Sequence, residues 1–273
     1  MPRVSVVIPA FNNAPFIAET VRSVLSQTYR DFELIVADHA STDDTLGQLE
    51  PFVNDPRVSI HHTAAGGGAV ANWNAVSERA SGEFIKLLPG DDLIHPAALE
   101  AQVAAFDAAD HDSNLVAAQR ALIDSSGRVR MKSFGLGKLD GLVPGTDALR
   151  ATVRSGTNLF GEPGCVMMRT AALAAAGWWQ PLRYYIDAGS YARVLATGSM
   201  VALREPLASF RLSSTQWSVR LRDAQVAEAK EFHRMAQALA PEAITDADVR
   251  AGDRNAALRA RQRRVVYALL GLG

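Results

Sequence analysis

Val4-Ser5-Val6-Val7-Ile8-Pro9-Ala10-Phe11-Asn12-Asn13-Ala14-Pro15 is the stretch that decides the fold. Val4 to Ile8 is a short, mainly β-branched run that Pro9 ends. Such a run reads as a strand buried on both faces, as parallel strands are. Asn12 to Pro15 reads as a turn. From Phe16 to Gln27, Ile17, Val21, Val24 and Leu25 recur at helical spacing. Strand, turn and helix in that order make one βα unit.

The same unit repeats outward from there. Phe32 to Ala37 is a second strand, ending at Asp38. Ser41-Thr42-Asp43-Asp44 is a helix start, because hydroxyls cap free N–H groups and acids suit the positive end of the dipole. The helix it opens runs from Thr45 to Phe52. Val58 to His61 is a third strand. Gly66-Gly67-Gly68 leads into a helix over 69–80, and Phe84 to Leu88 is a fourth strand ending in Pro89-Gly90-Asp91-Asp92. This alternation predicts an α/β fold with a mostly parallel sheet and helices on both faces. Ligands bind such sheets beyond the carboxyl ends of the strands, where Asp38, Asp91 and Asp92 all fall.

Further along, Pro96 to Ala108 reads as a helix and Leu115 to Ile123 as a strand. Ser125 to Pro144 is a turn-rich connection. A helix over Asp147 to Val153, a loop over Asn158 to Pro163 and a short strand over Val166 to Arg169 follow. Helices are expected over Thr170 to Ala176 and Asp187 to Leu195, and strands over Met200 to Leu203 and Leu207 to Arg211. From about Leu221 the chain reads as a charged helical region. The expected organisation is a catalytic domain over 1–218 and a helical C-terminal extension over 219–273.

Composition narrows the function classes. Of 273 residues, 48% are hydrophobic and 21% charged, as in ordinary globular proteins. A net charge of −1 argues against a basic nucleic-acid binder. The single cysteine, Cys165, allows no internal disulfide and lies in the apolar run Cys165-Val166-Met167-Met168. It reads as a buried structural thiol in a reducing, cytoplasmic protein. The N-terminus lacks the form of a signal peptide, and no stretch of about 18 apolar residues predicts a membrane span.

The acids at the strand ends have a chemical use. A nucleoside diphosphate carries more charge than side chains readily neutralise. A hard divalent cation held by one or two carboxylates and the phosphate oxygens does neutralise it. Asp91-Asp92 on a Pro-Gly turn suits that task, although Asp92 alone could be a helix cap.

Taken together, the motifs resemble the family 2 glycosyltransferases of the GT-A fold, a Rossmann-like architecture. The residues that carry the resemblance are Val4 to Asn12, Ser23 to Thr28, Phe32 to Asp38, Ser41-Thr42-Asp43 with Thr45, and Asn72-Trp73-Asn74. Gly82 to Asp92, Gly161-Glu162-Pro163, Asp187 in Tyr184-Tyr185-Ile186-Asp187, and Phe210-Arg211 complete it. The resemblance implies a nucleotide-sugar donor and a sugar, lipid-linked or small-molecule acceptor. It also implies a divalent cation, Mn²⁺ or Mg²⁺, held by Asp91 and Asp92. Pro9, Ala10 and Phe11 would line the base pocket, Asp38 would hydrogen-bond the base, and Asp91 would meet the ribose or the metal. Asn72 and Arg211 would join the donor site. Asp187 would be the general base of an inverting transfer.

Three positions depart from the family pattern. Asp38-His39-Ala40-Ser41 stands where Asp-Asp-Gly-Ser is usual, Pro89 replaces the usual first Asp of the metal motif, and Ser213 replaces a histidine. These departures motivate a second reading, a non-catalytic or weakly active nucleotide-sugar-binding module of the same fold.

Rival signals are weaker. Gly66-x-Gly68-x-x-Ala71 matches a dinucleotide fingerprint, but after the third strand instead of the first. His61 and His62, adjacent on a strand, point to opposite faces. His95 is a candidate ligand or a turn residue. Trp178-Trp179 suits either a sugar platform or core packing. Arg259, Arg261, Arg263 and Arg264 before an apolar run suggest a peripheral membrane contact through 259–270, or a helix packed on the domain.

Overall fold

The computed structural model describes residues 1–179, 182–213 and 224–269, with side chains described through 263. The four predicted βα strands form, although β1 continues through Pro9 instead of stopping there: β1 Val4–Ala10, β2 Phe32–Asp38, β3 Val58–His62 and β4 Phe84–Leu87. Between them lie α1 Ile17–Leu25, α2 Thr45–Leu49 and α3 Gly68–Ser77. Every residue of β1 and β4 is buried, which accounts for their mainly apolar sequence; the exceptions, Ser5 and Lys86, are hydrogen-bonded to Glu33 at 2.6 Å and Gln102 at 2.9 Å. Burying each Val or Ile side chain there contributes about 1.5–3 kcal/mol.

The second half adds β5 Leu93–Ile94, α4 Ala98–Ala108, β6 Ser113–Asp124, β7 Val129–Phe134 and β8 Gly141–Pro144. Then come α5 Gly145–Ser155, β9 Val166–Arg169, α6 Thr170–Ala175, α7 Ile186–Leu195 and β10 Ser199–Leu212. The helices α8 Gln225–Leu239 and α9 Asp246–Leu269 follow. One sheet runs β3-β2-β1-β4-β9-β6-β10-β5, with β7 on β6 and β8 on β10. β1, β2, β3 and β4 are parallel, and so are β6 and β10. β9 runs antiparallel between β4 and β6. The long parallel ladders make the sheet mostly parallel, with an antiparallel strand at its centre.

Two regions differ from the sequence reading. The turn-rich connection from Ser125 to Pro144 contains β7 and β8, whose exposed residues show no buried face to betray a strand. The two strands expected around Pro206 are one long strand, β10, which shifts register on either side of that proline. Proline removes a ladder donor, so the strand bulges there instead of ending.

The described C-terminal helices share the main core. Phe232, Ala236, Ile244 and Ala256 are buried in it. Asp248, 1% exposed, takes Arg150 and Arg154 of α5, and His233 Nδ1 lies 2.7 Å from Asp253 Oδ1. The boundary expected at 218 falls outside the described residues. Arg259 donates to the Ser155 carbonyl at 2.8 Å and Arg263 to Gln225 at 2.9 Å, so two of the arginines in the proposed membrane segment face their own fold. Side chains from 264 and the whole of residue 270 lie outside the description. Among the described residues no helix is long and apolar enough to cross a membrane.

The loop after β2 carries a strain. Ala40 has a left-handed φ of 54°, a conformation costing about 1–2 kcal/mol for a residue with a Cβ. The usual family residue there is glycine. Ala40→Gly is therefore expected to stabilise the protein by about 1 kcal/mol and raise its melting temperature by about 2–4 °C. An unchanged or lower melting temperature by calorimetry would count against this.

Candidate active site

β1, β2 and β4 deliver their C-terminal residues to one edge of the sheet. Ala10 pairs with Asp38 across β1 and β2, and the His39 amide donates to the Ala10 carbonyl at 2.9 Å. Asn72 of α3 donates Nδ2 to the same carbonyl at 3.2 Å. Pro9, Ala10, Asp38 and Asn72 thus form one cluster, with Phe11 half-exposed at its mouth and edge-on to His39. Asp38 is 2% exposed. Its Oδ2 accepts from the Ser41 amide at 3.2 Å, while Oδ1 is buried without a hydrogen-bond partner among the described residues, as is Asn72 Oδ1.

The Ser41-Thr42-Asp43 segment starts α2 through Asp43, whose Oδ1 accepts the amide of Thr45, the first helical residue, at 3.0 Å, and the Ser41 hydroxyl serves elsewhere. The residue before α2 is Asp44, and it makes no side-chain cap bond. The segment also stitches the two loops together. Asn12 donates its amide to Ser41 Oγ, Asn13 to Thr45 Oγ1 and Ala14 to Asp43, while the Thr42 amide donates to Asn12 Oδ1. The base-side loops are thereby fixed against each other. His39, a departure from the family pattern, joins Thr63 and the Gly66 carbonyl at 2.8 Å each, tying in the glycine loop.

The second cluster follows β4. Thr20 donates to the Gly90 carbonyl at 3.1 Å, and a Cβ on Gly90 would sit 2.6 Å from Asn13 Oδ1. Only glycine allows so close an approach to the β1 turn. Asp92 is buried, and its Oδ1 accepts the backbone amide of Arg211 at 2.9 Å. Arg211 Nε donates to the Asp91 carbonyl at 2.7 Å, its Nη2 to Glu19 at 2.7 Å, and its guanidinium lies 4.7 Å from the Phe16 ring centre. At 1% exposure it is built into the turn that carries the acids.

Burial pushes both Asp91 and Asp92 above the usual carboxylate range, and the charge of Asp91 adds to the effect on Asp92. Two hard oxygen donors whose negative charge is poorly compensated fit a divalent cation, provided that other oxygens complete its shell. Among the described residues no group of three or more His, Cys, Asp or Glu side chains supplies such a shell. His95 is exposed and accepts the Ala97 amide, so it serves the turn before α4.

The third cluster surrounds Asp187, in the first turn of α7. The residue preceding that helix is Tyr185, without a side-chain cap bond. Asp187 therefore lies inside the first turn and not at the cap position. Its Oδ1 accepts the Ala188 amide at 2.7 Å and its Oδ2 accepts Asn158 Nδ2 at 2.9 Å. The same Asn158 nitrogen reaches the Gly161 carbonyl at 2.9 Å, binding the Gly161-Glu162-Pro163 loop to Asp187. Burial, reinforced by the charge of Glu162, raises the Asp187 carboxyl to about 7. Glu162 pairs with the buried Arg120 of β6 and also acts on Asp92, so it lies electrostatically between the second and third clusters.

Sequence reasoning gave no role to Arg120, Asn158 or Glu162. Gly161-Glu162-Pro163 was the one visible signal. Trp179 is core: 2% exposed, donating Nε1 to Ser77 at 2.7 Å and meeting Trp73 edge-on at 5.0 Å. Asn74 brackets its backbone, accepting the Trp179 amide at 2.8 Å and donating to its carbonyl at 3.3 Å. Cys165 is buried, and that burial pushes its thiol up to about 12, as expected for a structural cysteine.

Comparison with known proteins adds independent findings. A family model described as Glycosyl transferase family 2 matches residues 5–176. EpsE of Bacillus subtilis, which carries a glycosyltransferase name, is 29% identical over 187 residues, or 67% of this chain. The chain covers 62% of that relative's length. Staphylococcus aureus TarS 1–349 in complex with UDP-GlcNAc superposes with a TM-score of 0.70 at 19% identity, covering 93% of this chain and 70% of that one. The mannosyltransferase PcManGT of Pyrobaculum calidifontis, in complex with GDP-Man and Mn²⁺, gives 0.62 at 17% identity, covering 99% and 85%.

Proposed function

The chain belongs to glycosyl transferase family 2 and has the GT-A fold, and from that premise we propose that it moves a sugar from a nucleoside-diphosphate sugar to an acceptor hydroxyl with inversion. The observation that carries this reading is the buried, unpartnered Asp38 Oδ1 at the strand-end edge of the sheet, beside the stitched loops after β1 and β2. An N–H on a nucleobase would satisfy Asp38, while Phe11 at the mouth offers a flat face to the ring. Pro9 and Ala10 form the floor and Asn72 holds the strand end in place.

Asp91 and Asp92 would hold a divalent cation, with Asp91 the more open of the two because one oxygen of Asp92 is engaged with the Arg211 amide. When bound, such an ion supplies Lewis-acid stabilisation to the departing diphosphate. Arg211 orients the turn carrying the acids, and its donors are directed at protein atoms.

Asp187 takes the proton from the acceptor hydroxyl as that oxygen bonds to the anomeric carbon. The bond from that carbon to the diphosphate oxygen breaks on the opposite face. Asn158 fixes the carboxylate's orientation, and Glu162 with the surrounding burial holds its proton affinity near neutrality, where a general base is effective. The structural neighbours with bound UDP-GlcNAc and GDP-Man support a nucleotide-sugar donor.

Asp38→Ala is expected to weaken binding of the cognate nucleoside diphosphate by about tenfold to a hundredfold, the worth of one charge-assisted hydrogen bond. Calorimetric titration checks it, and equal affinity in parent and variant would remove Asp38 from the base site.

A further inference from the structure

Nine large hydrophobic side chains are exposed among the described residues, and three of them, Val129, Met131 and Phe134, lie on β7. Every residue of β7 is exposed, and the strand is bonded along one edge only, to β6. The stretch 125–144 also carries Arg128, Arg130, Lys132 and Lys138 against the single acid Asp140, on a chain whose net charge is −1. Arg130 is paired with Asp124 at 2.7 Å; Arg128 and Lys132 are exposed. Beside the strand lies a recess of about 480 Å³, lined by Val129, Lys132, Leu93 and Pro206, again a basic group over apolar walls.

Concentrated apolar surface marks an interaction site. Apolar side chains interleaved with basic ones complement a surface that is oily beneath and negative on top, which is the interface of an anionic bilayer. The patch reaches the candidate active site, because Phe134 lies 4.7 Å from the guanidinium of Arg120, the partner of Glu162.

We propose that β7 docks the chain on an anionic membrane surface, presenting the Asp187 side of the candidate site to a lipid-linked hydroxyl. The docking stands on the patch itself; only the acceptor clause rests on the proposed function. The proposal uses none of the residues of the C-terminal segment 259–270.

Co-sedimentation with vesicles tests it, using phosphatidylcholine alone and phosphatidylcholine mixed with phosphatidylglycerol. The protein is expected to pellet with the anionic vesicles, to stay in solution with the neutral ones, and to be released by salt. The pairs Arg128→Ala/Lys132→Ala and Val129→Ser/Met131→Ser should each lower vesicle affinity by about tenfold or more. Thermal stabilisation by nucleoside diphosphates should stay at the parental level in both pairs, which shows that they are folded. Absence of pelleting, equal binding to neutral vesicles, or undiminished binding by both variants would overturn the proposal. So would self-association through the same residues without vesicle binding, which would make the patch a contact between copies. If the parent binds vesicles as expected but no nucleotide stabilises it, the donor reading fails and the docking surface stands.

Discussion

Asp187→Asn is expected to lower the rate of sugar transfer by about 10²- to 10⁴-fold while leaving donor affinity near that of the parent. Asn keeps the size of Asp and can still accept the Ala188 amide through its carbonyl oxygen, giving up the bond from Asn158, whose own contribution the Asn158→Ala variant measures. The pH dependence follows from a carboxyl raised to about 7. The base form is the deprotonated one, so the rate should climb with pH through about 7 instead of levelling above 4. Stability moves the other way. The folded-state value exceeds the unfolded value, so the folded protein holds a proton that the unfolded chain releases, and stability falls as pH rises from about 4 to about 7. The Asn variant should lack that segment of the pH–stability curve. Asn158→Ala removes a hydrogen bond that favours the charged carboxylate, so the limb of its rate profile should move above that of the parent. A merely structural asparagine would change the rate without moving the limb. Parental transfer by Asp187→Asn in a pH-rate assay would place the base elsewhere.

Asp92→Asn is the second large effect. Its side-chain oxygen can still accept the Arg211 amide, so the turn should keep its shape. What it loses is one of two buried charges. In the absence of metal this variant should melt no lower than the parent, because burial and the neighbouring Asp91 charge already disfavour the ionised form. With Mn²⁺ and a nucleoside diphosphate it should lose most of the metal-dependent affinity. Transfer should drop by about 10²-fold or more, since a Lewis acid on the leaving group is worth several kcal/mol. Titrations that are identical with and without EDTA in the parent would remove the cation from the account.

The βαβ half of the fold is legible because buried parallel strands are written as mainly apolar runs. Val4 to Ile8, interrupted only by Ser5, and Phe32 to Ala37, interrupted only by Glu33, are such runs, and each leads to a polar turn. β7 is not legible, since Val129-Arg130-Met131-Lys132 buries no side chain and its pairing with β6 is the only thing that makes it a strand. β5 is two residues long, too short for any period to register. At the site, strand ends announce Asp38, Asp91 and Asp92 by position. Contacts between distant segments do not announce themselves. Asn158 meets Asp187 across 29 positions and Arg120 meets Glu162 across 42, and nothing local in either segment specifies the partner. Arg211 illustrates the limit most plainly. Its place beside the acids can be read from sequence, but whether its guanidinium faces ligand or protein depends on Glu19 and Phe16, nearly 200 residues earlier.

Release of nucleoside diphosphate from a panel of UDP-, GDP- and dTDP-sugars, with Mn²⁺ and with candidate acceptors or water in the acceptor's place, tests the central claim most directly. The predicted result is release from at least one donor that also stabilises the protein thermally, lowered by about 10²-fold or more in Asp187→Asn although that variant is stabilised by the same donor. A donor that binds and stabilises the parent but is never cleaved, with every acceptor tried, would contradict catalysis and leave a nucleotide-sugar-binding module.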